Sequence, residues 1–370
     1  MSLAARRLSA AAAAAFLACS GSAMARPKSD VVTHKIPQTT YNSWAIYWDD
    51  ATVIPAIVAD TASLDELCLF AYQFSSDGKL IPAANHLDAL HGRVSTAAKG
   101  HARFVITVVN DVREGQRNKL KDPEVVHKVI STPKARAAHI AELSALADKA
   151  EGIDIDYEKV AWADAAAFQT FIQELSPVLR AKHKWLSVVV QPKTSDATSE
   201  SQKKNGVATI DWRAIAPYVD RVKVMAYLYS YPGSPPGSVA PLDWVDQIAA
   251  YGLTQVPPEK LSIILHLGGF DWPAGKPGKS IEYAQALALA SARQTKLTHD
   301  PDVGASYFTY TDAQVPHTVW VEDATGLKEK VRRLKAAGIR SIGFWRLGAG
   351  DPAFWQFLRD PQPPTPSPSL

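Results

Sequence analysis

Three carboxylates occupy every second position at the end of the run Glu151-Gly-Ile-Asp-Ile-Asp-Tyr-Glu158: Asp154, Asp156 and Glu158. Successive side chains of an extended strand point to opposite faces. These three acids therefore share one face, and Ile155 and Tyr157 take the other, toward surrounding helices. Three acids on one face of an interior strand repel one another and lose solvation, and folding gains nothing from them. Burial and nearby negative charge both raise a carboxyl pKa, so one member of such a set can hold a proton near neutrality and act as an acid. Glu158, the last of the three, is the candidate proton donor. The competing readings are a surface loop capped by acids and a calcium site. No His lies near this strand to complete a transition-metal set, so no metal or other cofactor is expected.

The strand carrying these acids has to be positioned by others like it. Eight short runs rich in Val, Ile and aromatic residues recur along the chain, at 44–48, 67–74, 103–109, 152–158, 185–191, 221–227, 261–268 and 341–347. Segments with helical spacing of Ala and Leu lie between them, as at 134–149, 163–182 and 326–337. Asp211-Trp212 and Asp243-Trp244 each read as an N-cap opening a short helix. Strands alternating with helices imply parallel βα units, and eight of them imply an α/β fold of the closed (β/α)8 TIM barrel type. In such a barrel the reactive side chains project from the C-terminal ends of the strands. The stretch between the seventh and eighth runs is long for one connection. It holds the β-prone segments 306–310 and 317–321, which predict a small β-rich insertion forming one wall of a cleft; an elaborated loop is the alternative.

Composition bounds the rest. The chain has 370 residues, 46% of them hydrophobic, enough for one large barrel. Its net charge of +3 comes without a basic stripe and makes no case for nucleic acid. Arg6 and Arg7, the Ala-rich stretch from Leu8 to Cys19, and Ala23-Met-Ala25 read as a signal peptide over 1–25. The apolar stretch is too short for a membrane span. A secreted or periplasmic protein is expected, or a lipoprotein anchored at Cys19 through a Phe16-Leu-Ala-Cys19 lipobox. Residues 26–40 read as an extended lead-in, 41–358 as the catalytic domain and 359–370 as a flexible Pro-rich tail. Cys68 lies in an apolar run and reads as a buried structural thiol. A monomer is expected.

The acidic run resembles the fourth-strand signature Asp-x-x-Asp-x-Asp-x-Glu of glycoside hydrolase family 18. Asp154, Asp156 and Glu158 match, Gly152 is typical, and Glu151 replaces the first Asp. Met225-Ala-Tyr227 is similar to the family's Met-x-Tyr, and Ser341-Ile-Gly-Phe-Trp345 to its last strand. The stretches from Pro236 to Trp244 and from Leu347 to Trp355 are similar to the bacterial branch that includes spore cortex-lytic and peptidoglycan-acting enzymes. The resemblance spans residues 41 to 358. It implies a retaining hydrolase of β-1,4-linked N-acetylglucosamine-containing glycans, with peptidoglycan favoured and chitin oligomers or the chitobiose core of N-glycans as the alternatives. The family departs from the two-carboxylate scheme by using substrate assistance. Glu158 would protonate the glycosidic oxygen and later activate water, while the substrate's own acetamido oxygen attacks the anomeric carbon. Asp156 would hold the acetamido N–H, Asp154 would pair with Asp156, and Tyr227 would hold the acetamido oxygen.

Trp345 would form the floor under the reacting sugar, since C–H faces of sugar rings pack on aromatic rings; a core tryptophan is the alternative. Tyr227 could equally fill the barrel, and Met225 reads mainly as packing beside the substrate. Trp44, Tyr47, Tyr229, Trp272 and Trp320 are candidate subsite aromatics. Leu228 stands where many family members have Asp, which puts a chitinase-like subsite in doubt. Gln191 and Asn110 are candidates for the polar substrate contacts in its place, and His266 and Asp271 for the cleft lining. A non-catalytic, lectin-like barrel and a metal-dependent hydrolase are the rival functions.

Overall fold

The computed structural model describes residues 39–115 and 117–360; the expected signal peptide, nearly all of the lead-in and residues 361–370 lie outside them. Fifteen strands follow in chain order. They are β1 (Thr40–Ala45), β2 (Glu66–Ser75), β3 (Leu80–Pro82), β4 (Arg103–Glu114), β5 (Arg117–Lys119), β6 (Gly152–Asp156), β7 (Trp185–Val190), β8 (Arg221–Met225) and β9 (Leu261–His266), then β10 (Gly269–Pro273), β11 (Lys279–Ile281), β12 (Thr298–Asp300), β13 (Ala305–Asp312), β14 (Val315–Val321) and β15 (Ser341–Trp345). Strands β1, β2, β4, β6, β7, β8, β9 and β15 pair in parallel in that order, and β15 pairs back onto β1. The eight-strand closed barrel expected from the alternating pattern is present.

Period-two alternation sorts the side chains. On β6, Ile153 and Ile155 face outward and join a core with Phe168, Phe171 and Leu175 of the helix Ala165–Ala181. That helix repeats large apolar residues three to four apart, which puts them on one stripe. Each such side chain, once buried, contributes about 1.5–3 kcal/mol. Inside the barrel, Trp44, Cys68, Val105, Val189, Met225 and Ile264 form a separate cluster. Gly152 starts β6 where a Cβ would stand 2.6 Å from both the Cβ and the carbonyl oxygen of Trp185, so no larger residue fits without displacement.

Between β9 and β15 lies a separate five-stranded antiparallel sheet, ordered β11-β10-β14-β13-β12. It packs on the helix Tyr283–Ala292 through Ile281, Ala286, Ala290, Phe308, Val319 and Val321. This is the expected β-rich insertion, although none of its residues is among those lining the cleft at Asp156 and Glu158.

Three local expectations are corrected. The first strand is Thr40–Ala45, not 44–48, because its first half is polar inside the barrel. There Asn42 Nδ2 donates to Ser262 Oγ at 3.0 Å and to Ser341 Oγ at 3.2 Å, a pairing that apolar patterning cannot reveal. The helix Leu242–Gln255 is capped at Pro241, so Asp243 sits in its first turn and is not its N-cap; the helix is also long, at 14 residues. Asp211 does cap its helix, accepting from the Ala214 amide at 3.0 Å. Finally, Arg359 ends the helix Pro352–Arg359 and pairs with Asp60, so the first residue assigned to the tail is packed on the barrel.

Candidate active site

The strand β6 ends at Asp156, and its three acids meet three different environments. Asp154 is fully buried and held on all sides. Its Oδ1 lies 3.0 Å from Lys223 Nζ and accepts from Ser187 Oγ; its Oδ2 accepts from Thr107 Oγ1 at 3.1 Å and from Trp44 Nε1 at 3.3 Å. Lys223, also fully buried, bonds Glu66 at 2.5 Å and lies 4.9 Å over the Trp44 ring. Burial alone would strip its proton, but Asp154 and Glu66 outweigh that and hold its pKa above the ordinary value. The expected pairing of Asp154 with Asp156 is therefore replaced. Both oxygens of Asp154 are engaged elsewhere, and its counter-charge is a lysine. Cys68 is a buried thiol within this network, with Sγ 3.2 Å from Lys223 Nζ, and burial pushes its pKa well up.

Asp156, one pleat nearer the C-terminal rim, is also buried, but its Oδ1 has no hydrogen-bond partner. Burial, reinforced by the Glu158 charge, raises its carboxyl well above the ordinary carboxylate range. Glu158 lies beyond the strand end and is only partly buried. Its carboxylate pairs with the ammonium of Lys121, a residue in the loop after β5. Asn110, near the end of β4, grips the Glu158 backbone, donating to its carbonyl and accepting from its amide, each at 2.8 Å. Asn110 Nδ2 also donates to the Asp122 carbonyl at 3.1 Å. Asn110 thus lines the cleft with its amide already engaged by backbone groups of the protein.

Asp156 and Glu158 face a cleft of about 410 Å³ lined further by Tyr47, Trp48, Phe70, Val109, Asn110, Asp111, Leu120, Lys121, Met225, Tyr227, Leu228, His266 and Trp345. Tyr227 comes from just past β8. Burial, with the Glu158 and Asp156 charges, raises its phenol well above the ordinary value, so it is a hydroxyl donor at neutral pH. Its ring meets His266 at 5.4 Å. His266 Nδ1 accepts from the Gly268 amide at 2.9 Å, and burial lowers its pKa to about 4, which keeps it neutral. Trp345 closes β15 and packs on Trp44, Trp48 and Phe70 with ring separations of 6.1, 6.4 and 5.5 Å.

The other candidates separate from this group. Trp44 is 2% exposed and lies beneath Trp345 with its indole N–H on Asp154, so it supports the floor and does not line the cleft. Gln191 follows β7 and is not among the cleft-lining residues. Trp272 is buried in the inserted lobe, where Trp320 stacks on Tyr307 at 4.7 Å, and Asp271 bonds Tyr310 and His317 there. Tyr229 is exposed and rests on Trp244 outside the cleft. Trp48, Lys121 and Lys223 are among the cleft and network residues that escaped the sequence reading. Lys223 carried a signal, as a lone lysine in the apolar run Val222-Lys-Val-Met225. Lys121 carried none, since it lies 37 residues before Glu158 and only folding joins them.

The arrangement joins a buried carboxyl with an unpartnered oxygen, a glutamate, a neutral phenol and an aromatic floor at the C-terminal mouth of a barrel. That set can protonate a leaving oxygen and orient an amide. The family model of glycosyl hydrolases family 18 matches residues 124–350. A cortical fragment-lytic enzyme of Bacillus subtilis is 31% identical over 214 residues, 56% of this chain and 49% of that protein. The sporulation-specific glycosylase YdhD of Bacillus subtilis, so described putatively, is 27% identical over 291 residues, 77% of this chain and 66% of that protein. The chain thus spans about half the length of the cortical fragment-lytic relatives it matches. Among solved structures, a chitinase from Chromobacterium violaceum superposes with a TM-score of 0.76 at 25% identity, covering 87% of this chain and 98% of that one. The spore cortex-lytic enzyme SleL of Bacillus cereus gives 0.76 at 24% identity, covering 87% and 74%, a likeness of fold. With the family model covering well over half of its length, the chain belongs to the glycosyl hydrolases of family 18.

Proposed function

We propose that this protein hydrolyses β-1,4-linked glycans containing N-acetylglucosamine, with retention of configuration, and that peptidoglycan is its favoured polymer. The observation that carries this reading is the pair Asp156 and Glu158 at one cleft. Asp156 is a buried carboxyl with an unpartnered oxygen, and Glu158 is the partly buried acid beside it. A buried oxygen without a partner is costly to maintain and is suited to a substrate N–H. Asp156 then orients the acetamide, whose oxygen attacks the anomeric carbon, and Tyr227 donates its hydroxyl to that oxygen. Glu158 gives its proton to the leaving oxygen and afterwards removes one from water. Trp345 carries the sugar ring. The kinship with cortical fragment-lytic enzymes supports peptidoglycan, as does Leu228 in place of the Asp common in the family. The same reading places the enzyme outside the cytoplasm, where that polymer lies.

Replacing Glu158 by Gln tests it. The turnover number is expected to fall by about 10²–10⁴-fold, with circular dichroism unchanged. Full activity in that variant would overturn the assignment. A thiazoline mimic of the oxazolinium should inhibit, and a chelator should not. Mass spectrometry of products from purified peptidoglycan and chitin hexamer, run side by side, decides the polymer.

A further inference from the structure

We infer that Lys121 reads a carboxylate on the substrate, and that exchanging its partner from Glu158 to that carboxylate readies the acid for proton donation. The inference rests on the hydrolase reading above and deepens it, since it selects an anionic glycan over neutral chitin.

Among the described residues lining the cleft, the charged groups are Asp111, Lys121, Asp156 and Glu158, so Lys121 is the one cation there. Its place is fixed by the backbone. The β4–β5 hairpin delivers it, its N–H donates to Asp111 Oδ1 at 2.8 Å, and its φ of 55° turns the chain sharply before the helix Pro123–Ile130. The neighbouring Lys119 is tied to Asp122 at 3.1 Å and Glu124 at 3.6 Å and faces away from this duty. The Lys121 side chain keeps 37% exposure, so its ammonium is reachable from the cleft while it rests on Glu158.

That contact opposes catalysis. While the Glu158 carboxylate holds the Lys121 ammonium, it is not free to turn to the glycosidic oxygen it must protonate. A substrate carboxylate arriving at Lys121 takes over the ammonium and releases Glu158, one ion pair replacing another. Released from the ammonium, Glu158 can turn to the leaving oxygen, with Asp156 beside it in the same cleft. Of the other titratable groups at this cleft, Tyr47, Tyr227 and His266 stay neutral throughout, and Asp111 accepts from the Lys121 backbone amide. Neutral chitin has no group to make the exchange. In peptidoglycan the carboxylate has two sources, the lactyl ether of a peptide-stripped muramic residue and the acidic residues of a peptide stem.

The test measures kcat/KM of the full chain on four glycan strands: peptide-stripped and stem-bearing, each free and methyl-esterified. The wild type should favour the free acid over its ester by about tenfold or more in one of the two series, and that series identifies the source. Lys121→Met should bring the ratio near one, and Lys121→Arg should restore most of it. A wild-type ratio near one in both series, or a ratio unchanged in Lys121→Met, overturns the inference. A binding arm separates it from the hydrolase reading. Calorimetry on Glu158→Gln should show tighter binding of the free acid than of the ester, and adding Lys121→Met should abolish the difference. If the wild type cleaves none of the strands while that binding preference holds, the hydrolase reading fails and the carboxylate site of Lys121 stands. Binding without preference removes the site itself.

Discussion

The side-chain amide of Asn110 brackets the backbone of Glu158, donating to its carbonyl and accepting from its N–H, each at 2.8 Å. Glu158 lies past the last residue of β6, so no barrel strand fixes it there. Asn110, buried near the end of the adjacent β4, does so instead. Replacing Asn110 by Ala is expected to cost about 1–3 kcal/mol of stability, read from denaturant unfolding. It should also lower the turnover number by about 10²-fold, with a smaller change in KM, because a displaced acid loses its aim more than its substrate.

The pair Lys223 and Asp154 leads to a stability prediction. Lys223 is fully buried between Asp154 and Glu66, and it holds the Glu66 carboxyl below its ordinary value against the upward pull of burial. Lys223→Met would strand two buried carboxylates. Destabilisation of roughly 3–5 kcal/mol is expected. Adding Glu66→Gln in the same chain should recover part of that loss. Thermal unfolding of the single and double variants measures both.

Asp156 ties stability to pH in a defined direction. Its folded pKa is raised above the ordinary 3.8, first by burial and then by Glu158. The folded state therefore holds this proton more tightly than the unfolded state, and unfolding releases it. The contribution is fully present below 3.8 and is lost as pH rises through the folded value. Asp156→Asn removes that loss. Calorimetric scans across pH should show its Tm gaining on the wild type as pH climbs toward neutrality, while its activity falls.

Much of the barrel was legible because each strand that faces helices on the outside must be apolar at every second position. β2, β6 and β7 were found within two residues of their ends for that reason. β1 was displaced because Asn42 finds its partners, Ser262 and Ser341, inside the barrel, where polarity carries no outward sign. Trp345 and Tyr227 were legible as strand-end residues. Trp44 was legible as near the site, but its duty was misjudged, since a side chain that supports another looks in sequence like one that meets the substrate.

The sequence by itself determined that three acids share one face of a central strand and that eight βα units close around it, because alternation and period are local properties of the chain. Only the tertiary structure decided what each acid does. Asp154 became one member of an ion pair with Lys223 from two strands away, Asp156 was left buried with a free oxygen, and Glu158 met Lys121. Charge, unlike hydrophobic period, acts through space, so the partner that sets a carboxyl's protonation can come from any strand that the fold brings near.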